Sequence, residues 1–585
     1  MPGFCISNLS NRIVLNNYNN QNCIQDNLEY SKWHIRRNVL KKFLDDKVFF
    51  QNNKIIVIID GIILNKSELL SRYNCNTLDK LVEIISKEDK TFFSQFEGSF
   101  SGAIYYKDDN EWYIFTSPLG EKAIYYYQKN NKYIIGSQLN YITDTLKVNN
   151  VKISLNEESL SQFMAYGYFL DKSTSIKEIL RLYPGEYIKI SNDSSSIHKY
   201  FICDYEQKEI SIDDAIENLD RSFKNSLKKI FNKNKEYNFI NLLDVSGGLD
   251  SRMICYSAKE LNEENVLLDC YSQSGAKDDI ISKKIAKNLN YDYVFRSIDN
   301  AKCMLNIDEN ILMNNGATVY YGITGGKDML EMMNPYIYGV ETTGLLGDIY
   351  DGSMVIDRCD GQPDNNYLRF RYSNTLEYGK DFTVDLSIAN RFKKYRNELY
   401  WFYTRGMIFG MTSYFIRQNF TEVATPFGDK EFLKNYLSIP WEMRVKQHTL
   451  RRWLIKKYPN AAKIKYGNTG VSVNSSIKFY GEFLRKYNRL KFKVKRKFKK
   501  EPINMSDVQY WYDNNKEFNT YINNYCKENY KLCVGFSKIE RNINKLLESG
   551  KVVDKLIVVS VLSSIKCFYY ELEEKNKVNE SKNNR

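Results

Sequence analysis

Proline and histidine are scarce in this 585-residue chain, with nine prolines and three histidines (His34, His198, His448). Without a glycine period or a proline-rich stretch, collagen-like and low-complexity classes are excluded. The eleven cysteines, scattered from Cys5 to Cys567, form no CxxC pair and no cysteine–histidine cluster. That argues against a zinc site and for reduced thiols. Long apolar runs are absent too. The longest, near Ile55–Ile59 and Leu556–Leu562, fall far short of the ~20 residues that span a bilayer. The opening MPGFCISNLS has neither a basic region nor an apolar core of a secretory signal. The expectation is a soluble cytoplasmic protein with no transmembrane segment.

What is present is a globular balance, 43% hydrophobic and 26% charged. At roughly 150 residues per domain, the length predicts two to four domains. The 46 tyrosines and the abundant Asn, Lys and Ile suggest an AT-rich genome, so single Lys or Asn residues carry little weight. The net charge of +13 is local. Ten basic residues and no acidic one lie between Arg485 and Lys500, leaving about +3 elsewhere, which argues against a global nucleic-acid surface. In this run Leu490, Phe492 and Val494 alternate with lysine, a pattern that gives a strand one apolar face and is poorly amphipathic as a helix. It reads as a solvated insertion over 484–502 or as a site for an anionic partner: an acidic leader peptide, a polyanionic glycan or a membrane surface.

The first ~200 residues carry short β-branched and aromatic runs at 54–64, 98–108 and 111–117, then AIYYYQK and KYIIGSQ, separated by KDDNE and KNNK turns. Helical stretches are predicted at 67–71 and 78–86. Ser211 is an N-cap signal, which sets a boundary near residue 206. Helix 215–231, strand 239–245, a helix after it, strand 266–272, helix 279–289 and strand 291–298 then alternate, the pattern of a parallel α/β sheet. The remainder is predicted to be mainly helical, with a C-terminal helical part at 503–585. No solenoid repeat is visible.

The segment from Asp244 through Val245, Ser246, Gly247, Gly248, Leu249, Asp250 and Ser251 to Arg252 joins a buried strand to a helix. Two glycines let backbone N–H groups approach a phosphate, and the helix N-terminus adds positive potential. The Ser246 and Ser251 hydroxyls can donate to phosphate oxygens, and Asp250 can hold a Mg²⁺. Lacking GxxxxGK[ST], this is not a kinase-type phosphate loop. SGGxDS is the pyrophosphate-loop pattern of enzymes that cleave ATP between the α and β phosphates.

With this loop, an ordered series of motifs resembles the asparagine synthetase family, over about 470 residues. In the first half these are Phe96–Tyr106, Ser117–Tyr127 and Ile135–Ile142; in the second, SGGLDS, Thr343–Asp348, Glu422–Asp429 and Lys463–Val471. The resemblance implies an Ntn-hydrolase-like αββα glutamine amidotransferase-type domain at 1–205. It implies a Rossmann-like ATP-pyrophosphatase domain with helical additions at 206–585. It implies ATP and Mg²⁺ as cofactors, ATP contacts from Val245, Ser246, Gly247, Gly248, Asp250, Ser251, Thr343 and Gly344, metal ligands Asp250 and Asp348, and Lys465 as the catalytic cation. Relatives often dimerise, so a homodimer is one expectation.

The departures matter as much. A class II glutaminase uses an N-terminal cysteine at position 2, with its own α-amine as base. Here position 2 is Pro2, and Cys5 reads as a small buried hydrophobe. Where the family places an oxyanion-hole Asn-Gly stands Asp60-Gly61, and an ionised Asp60 repels an oxyanion. Leu345 replaces a glutamate that manages the proton of attacking ammonia, and Leu346 and Ile349 replace Gly and Glu. The charge of Asp244 opposes phosphate unless its side chain turns away.

The expected activity is therefore an ATP-dependent amide-forming ligase without glutaminase activity. It adenylates a small-molecule or peptide carboxylate and passes the acyl group to ammonia or a substrate amine. Three alternatives stand: an asparagine synthetase using ammonia or glutamine, a pyrophosphate-loop enzyme modifying nucleic acid, and a non-catalytic ATP-binding homologue. The substrate-contacting loops expected around 352–381 have no readable pattern.

Overall fold

The computed structural model describes residues 1–9, 13–15, 22–191, 194–321, 324–347, 361–363, 386–467, 471–476, 483, 487, 490 and 505–570. Asp348, Ile349, most of 352–381, and the basic run apart from Tyr487 and Leu490 lie outside the described residues.

Strands numbered in chain order form three sheets. The first, in order β10-β8-β9-β1-β3-β2, is antiparallel: β1 (Gly3–Ser7), β2 (Cys23–Tyr30), β3 (Trp33–Leu40), β8 (Tyr125–Lys129), β9 (Lys132–Gly136) and β10 (Ile179–Arg181). The second, β12-β11-β7-β6-β5-β4, is also antiparallel: β4 (Phe49–Gln51), β5 (Ile55–Gly61), β6 (Phe100–Tyr106), β7 (Glu111–Thr116), β11 (Glu186–Ser191) and β12 (Ser194–Lys199). The KNNK turn between β8 and β9 puts both Asn130 and Asn131 at positive φ, which matches the right-handed strand twist of a two-residue hairpin.

The two sheets stack face to face. Phe4, Ile6, Ile35, Tyr133 and Ile135 of one meet Ile56, Ile58, Trp112, Ile114 and Ile188 of the other in one apolar layer. Both sheets also bury their outer faces, so apolar residues occur at consecutive positions rather than alternating. Helices α1 (Lys66–Arg72) and α2 (Leu78–Glu88) cover the second sheet. In α2, Leu78, Leu81, Val82 and Ile85 make an i, i+3, i+4, i+7 stripe, and the Thr77 hydroxyl caps the Lys80 N–H. Helices α3 (Leu139–Val148) and α4 (Glu157–Tyr166), with the C-terminal helices, cover the first. This is the αββα sandwich expected.

Helix α5 (Ile212–Glu236), capped by Ser211 as predicted, runs longer than its apolar pattern suggested. It leads into a five-stranded parallel sheet, β15-β14-β13-β16-β17: β13 (Ile240–Asp244), β14 (Val266–Ser272), β15 (Asp292–Ser297), β16 (Tyr338–Thr342) and β17 (Val423–Ala424). Helices α6 (Asp250–Glu260) and α7 (Lys277–Leu289) connect its first three strands. From β13 the chain goes to β14 on one side and returns as β16 on the other, so the sheet has its switch point at the C-terminal end of β13. The rest is mainly helical. Among the described residues no helix is long and apolar enough to cross a membrane, and the ten described cysteines are free thiols.

Buried ion pairs close the seam between the sandwich and the parallel sheet. Lys122 Nζ lies 3.0 Å from Asp60 Oδ2 and 3.2 Å from Glu422 Oε2, and Lys47 Nζ is 3.1 Å from Glu422 Oε1. Asp46 meets Lys233 at 2.9 Å and accepts from Tyr237 Oη at 2.7 Å. Burial alone would raise the Asp60 and Asp46 carboxyls. The ammonium groups of Lys122 and Lys47 on one, and of Lys233 and Lys66 on the other, outweigh it and hold both below the usual range. Lys122→Met, which strands buried Asp60 and leaves Glu422 with Lys47 alone, is expected to cost about 3–5 kcal/mol in urea unfolding. Because these folded-state pKa values are depressed, their stabilisation is present above the unfolded value of about 3.9 and is lost as pH falls below it. The thermal midpoint should drop below about pH 4, less steeply in Asp60→Asn.

Candidate functional site

A cleft of about 700 Å³ opens at the C-terminal ends of β13, β14 and β16, at the switch point. Every ATP-contact residue expected from the sequence lines it: Val245, Ser246, Gly247, Gly248, Asp250, Ser251, Thr343 and Gly344. The first six run from the end of β13 into the first turn of α6, whose N–H groups point their partial charge into the cleft.

The loop holds an anion of its own. The Gly247 N–H donates to Asp278 Oδ1 at 2.9 Å, a carboxylate standing where a phosphate oxygen could sit. The Gly248 N–H donates to Ser246 Oγ at 3.1 Å, and the Ser246 and Ser251 hydroxyls are 3.0 Å apart. The hydroxyls therefore bond within the loop and must turn outward to reach a ligand. Close packing fixes the opposite wall. A Cβ on Gly344 would lie 2.9 Å from Ser251 N, and one on Gly347 would lie 2.4 Å from Asp250 Cγ. Leu346 stands where the family has glycine and keeps a left-handed backbone, φ 72°, while its side chain is buried. Thr343 Oγ1 lies 3.0 Å from Tyr414 Oη, which orders the hydroxyl at the cleft edge.

The structure explains Asp244. Its Oδ2 pairs with Arg417 Nη1 at 2.8 Å, and the same nitrogen meets Glu341 Oε1 at 2.7 Å. Arg417 Nη2 donates to Tyr271 Oη at 2.6 Å. Asp244 and Asp269 are register partners on β13 and β14, and carboxylate oxygens of Asp244, Asp269 and Glu341 all lie within 4.8 Å. Burial, then the charge of Asp244, pushes Asp269 well above the usual range. Burial, then Asp244 and Asp269, does the same to Glu341 against the pull of Arg417. Both acids are thereby pushed toward their neutral forms, and the Arg417 guanidinium is the cation that faces the cluster. Asp244 neighbours the phosphate loop as half of an ion pair rather than as a bare charge.

Lys465 is not at the cleft wall. Its side chain is exposed, and its neighbours Tyr466 and Gly467 line the cleft instead. Lys277, which the sequence did not single out, lines it and donates to Gly467 O at 2.6 Å. Arg252 holds this segment in place. Fully buried, it donates to Ala461 O at 3.1 Å, Ile464 O at 2.9 Å and Lys465 O at 3.0 Å, and burial lowers its pKa to about 10. Nothing in the sequence singled it out, because α6 also carries Asp250, Lys259 and Glu260. Leu345 lines the cleft and offers no proton acceptor.

A small cavity of about 20 Å³ lies where the sandwich meets the second half of the chain, lined by Pro2, Asp60, Lys122, Ser137, Gln138, Asn315 and Gln418 among others. That volume suits a water molecule, not an amino acid. The Lys122 ammonium occupies the position facing Asp60, and Gly61 beside it has φ 123°. Cys5 points away into the apolar layer under α3, and burial raises its thiol pKa far above the ordinary value.

Residues 47–201 match the glutamine amidotransferase domain family. A curated relative, asparagine synthetase [glutamine-hydrolyzing] 1 of Bacillus subtilis, is 23% identical over 262 residues, 43% of this chain. The match spans only 40% of that relative's length. Among solved structures, glutamine phosphoribosylpyrophosphate amidotransferase from B. subtilis, complexed with ADP and GMP, matches at 10% identity with a TM-score of 0.21. It covers 46% of this chain and 77% of that one. A second, an allosteric regulatory enzyme of purine biosynthesis, gives 10% and 0.22, covering 46% and 76%. The family match is thus confined to residues 47–201, and the similarity to an asparagine synthetase to less than half of each chain.

Since Asp278 competes for the Gly247 N–H, Asp278→Ala should tighten ATP binding in calorimetry by about three- to tenfold, while Gly344→Ala should abolish it. Unchanged affinity in Asp278→Ala would place the phosphates elsewhere.

Proposed function

We propose that the protein is an ATP-dependent amide-forming ligase, built as two domains that meet near residue 206. The observation behind this reading is the anion-holding loop Ser246–Ser251 at the switch point of a parallel sheet. A substrate carboxylate oxygen attacks the α-phosphorus of ATP. The α–β bridging P–O bond breaks, and pyrophosphate leaves. The Gly247 N–H, freed from Asp278, and the Ser246 and Ser251 hydroxyls take the developing charge. Lys277 lies in the cleft for the same purpose, and Lys465 reaches it by a side-chain swing. In this reading Asp250, at the head of α6, would hold Mg²⁺, with Asp348 as its expected partner. A bound Mg²⁺ supplies charge neutralisation on the phosphate oxygens. An amine then attacks the acyl carbon of the mixed anhydride, the C–O bond to AMP breaks, and the amine sheds a proton.

The nitrogen comes from a substrate amine. Leu345 cannot take the proton of ammonia, and the sandwich cavity, filled by Lys122 against Asp60, has no room for glutamine. The sandwich serves as scaffold rather than glutaminase. Asparagine formation from aspartate is the second reading, favoured by the similarity to the Bacillus enzyme.

The test is AMP and pyrophosphate release from MgATP with aspartate plus ammonium, plus glutamine, and with neither, alongside Asp250→Ala. The proposal expects ATP binding in the parent protein, its loss in Asp250→Ala, and no asparagine from any mixture. Asparagine formed with ammonium alone would establish the second reading. Asparagine formed with glutamine would overturn the scaffold role as well.

A further inference from the structure

Asp244, Asp269 and Glu341 come from three neighbouring parallel strands, β13, β14 and β16, with carboxylate oxygens within 4.8 Å of one another. Oxygens that coordinate one hard cation at about 2.0–2.6 Å stand at such separations. Arg417 uses only part of the set: its Nη1 lies 2.8 Å from Asp244 Oδ2 and 2.7 Å from Glu341 Oε1. Asp244 Oδ1, Glu341 Oε2 and Asp269 Oδ1 are sealed from solvent, and no described N–H or hydroxyl donates to any of them. Asp269 and Glu341 are each 1% exposed. A buried acceptor without a protein donor calls for a bound water or ion. Charge separates the two. Three ionised carboxylates and one guanidinium leave two negative charges at this depth, which a water molecule does not cancel and one divalent cation does. An ammonium group would cancel only half.

We propose that Asp244, Asp269 and Glu341 bind one hard divalent cation, Mg²⁺ or Mn²⁺, at a site of their own on the floor of the cleft. The donors are carboxylate oxygens with no thiolate or imidazole among them, a set that suits these ions and not a zinc-type site. Asp244 and Asp269 line the cleft, so the ion has a path from solvent. Asp250 does not belong to this group of oxygens, so the ion is distinct from the one that Asp250 would hold. Three protein ligands leave further coordination positions for water or for an oxygen of a molecule in the cleft. The inference stands apart from the ligase reading, because no nucleotide and no reaction enter it.

The experiment is titration of the full chain with MnCl₂ in the absence of nucleotide, with free Mn²⁺ counted by electron paramagnetic resonance. The parent protein is expected to bind one Mn²⁺ with a Kd below about 1 mM, and excess Mg²⁺ should displace it. Asp269→Asn and Glu341→Gln keep the size of the side chain and remove its charge. Each should weaken binding by about tenfold or more, since even groups behind the ligands are worth that much. Asp250→Ala should bind Mn²⁺ as the parent does. Saturating Mn²⁺ should raise the melting temperature of the parent and leave that of Asp269→Asn unchanged. The proposal is overturned if the parent binds no Mn²⁺, whatever the stability of the variants, or if both amide variants bind it as the parent does. It is likewise overturned if Asp250→Ala abolishes binding, which would assign the ion to the loop. Every readout is free of ATP turnover, so a failed ligase reading and a failed metal site give different results.

Discussion

Lys122 is the residue on which the arrangement turns. Its ammonium sits in the seam between two architectures, against Asp60 on one side and Glu422 on the other. A charge so deeply buried is tolerable only because two carboxylates surround it, and each carboxylate is tolerable only because of Lys122 and Lys47. The consequence is geometric as well as energetic. The cation sits beside Asp60 at the small cavity lined by Pro2, Ser137 and Gln138, and through Glu422, next to β17, it ties the parallel sheet to the sandwich.

The cleft beyond that seam has a floor of crowded carboxylates. Asp244, Asp269 and Glu341 stand on three adjacent parallel strands with carboxylate oxygens within 4.8 Å of one another. Burial and this crowding push Asp269 and Glu341 upward, and the Arg417 guanidinium pairs with Asp244 and Glu341. Arg252 performs the matching task on the opposite wall, where three backbone carbonyls accept from it and hold the segment that carries Tyr466 and Gly467 into the cleft.

Much of this was legible before any coordinates. Apolar runs of strand length, the Ser211 cap and the i, i+3, i+4, i+7 stripe of α2 are local signals, and they were read within a few residues of the observed ends. The strand, turn and helix around Ser246–Ser251 were legible for the same reason: small residues and hydroxyls stand at fixed offsets along one continuous stretch of chain. Asparagine at positive φ, as at Asn130 and Asn131, took up the turn positions that scarce proline and glycine left open.

The sequence by itself determined the alternation of elements and the strand, turn and helix around Asp244–Arg252, because each depends on residues near one another in the chain. The tertiary structure decided which charges meet. Asp244 finds Arg417 and Lys122 finds Glu422, partners 173 and 300 positions apart. It also placed Lys277 rather than Lys465 at the cleft wall. Pairing at such separations leaves no period or spacing in the sequence; it follows only from how the sheets stack and from the need to leave no buried charge alone.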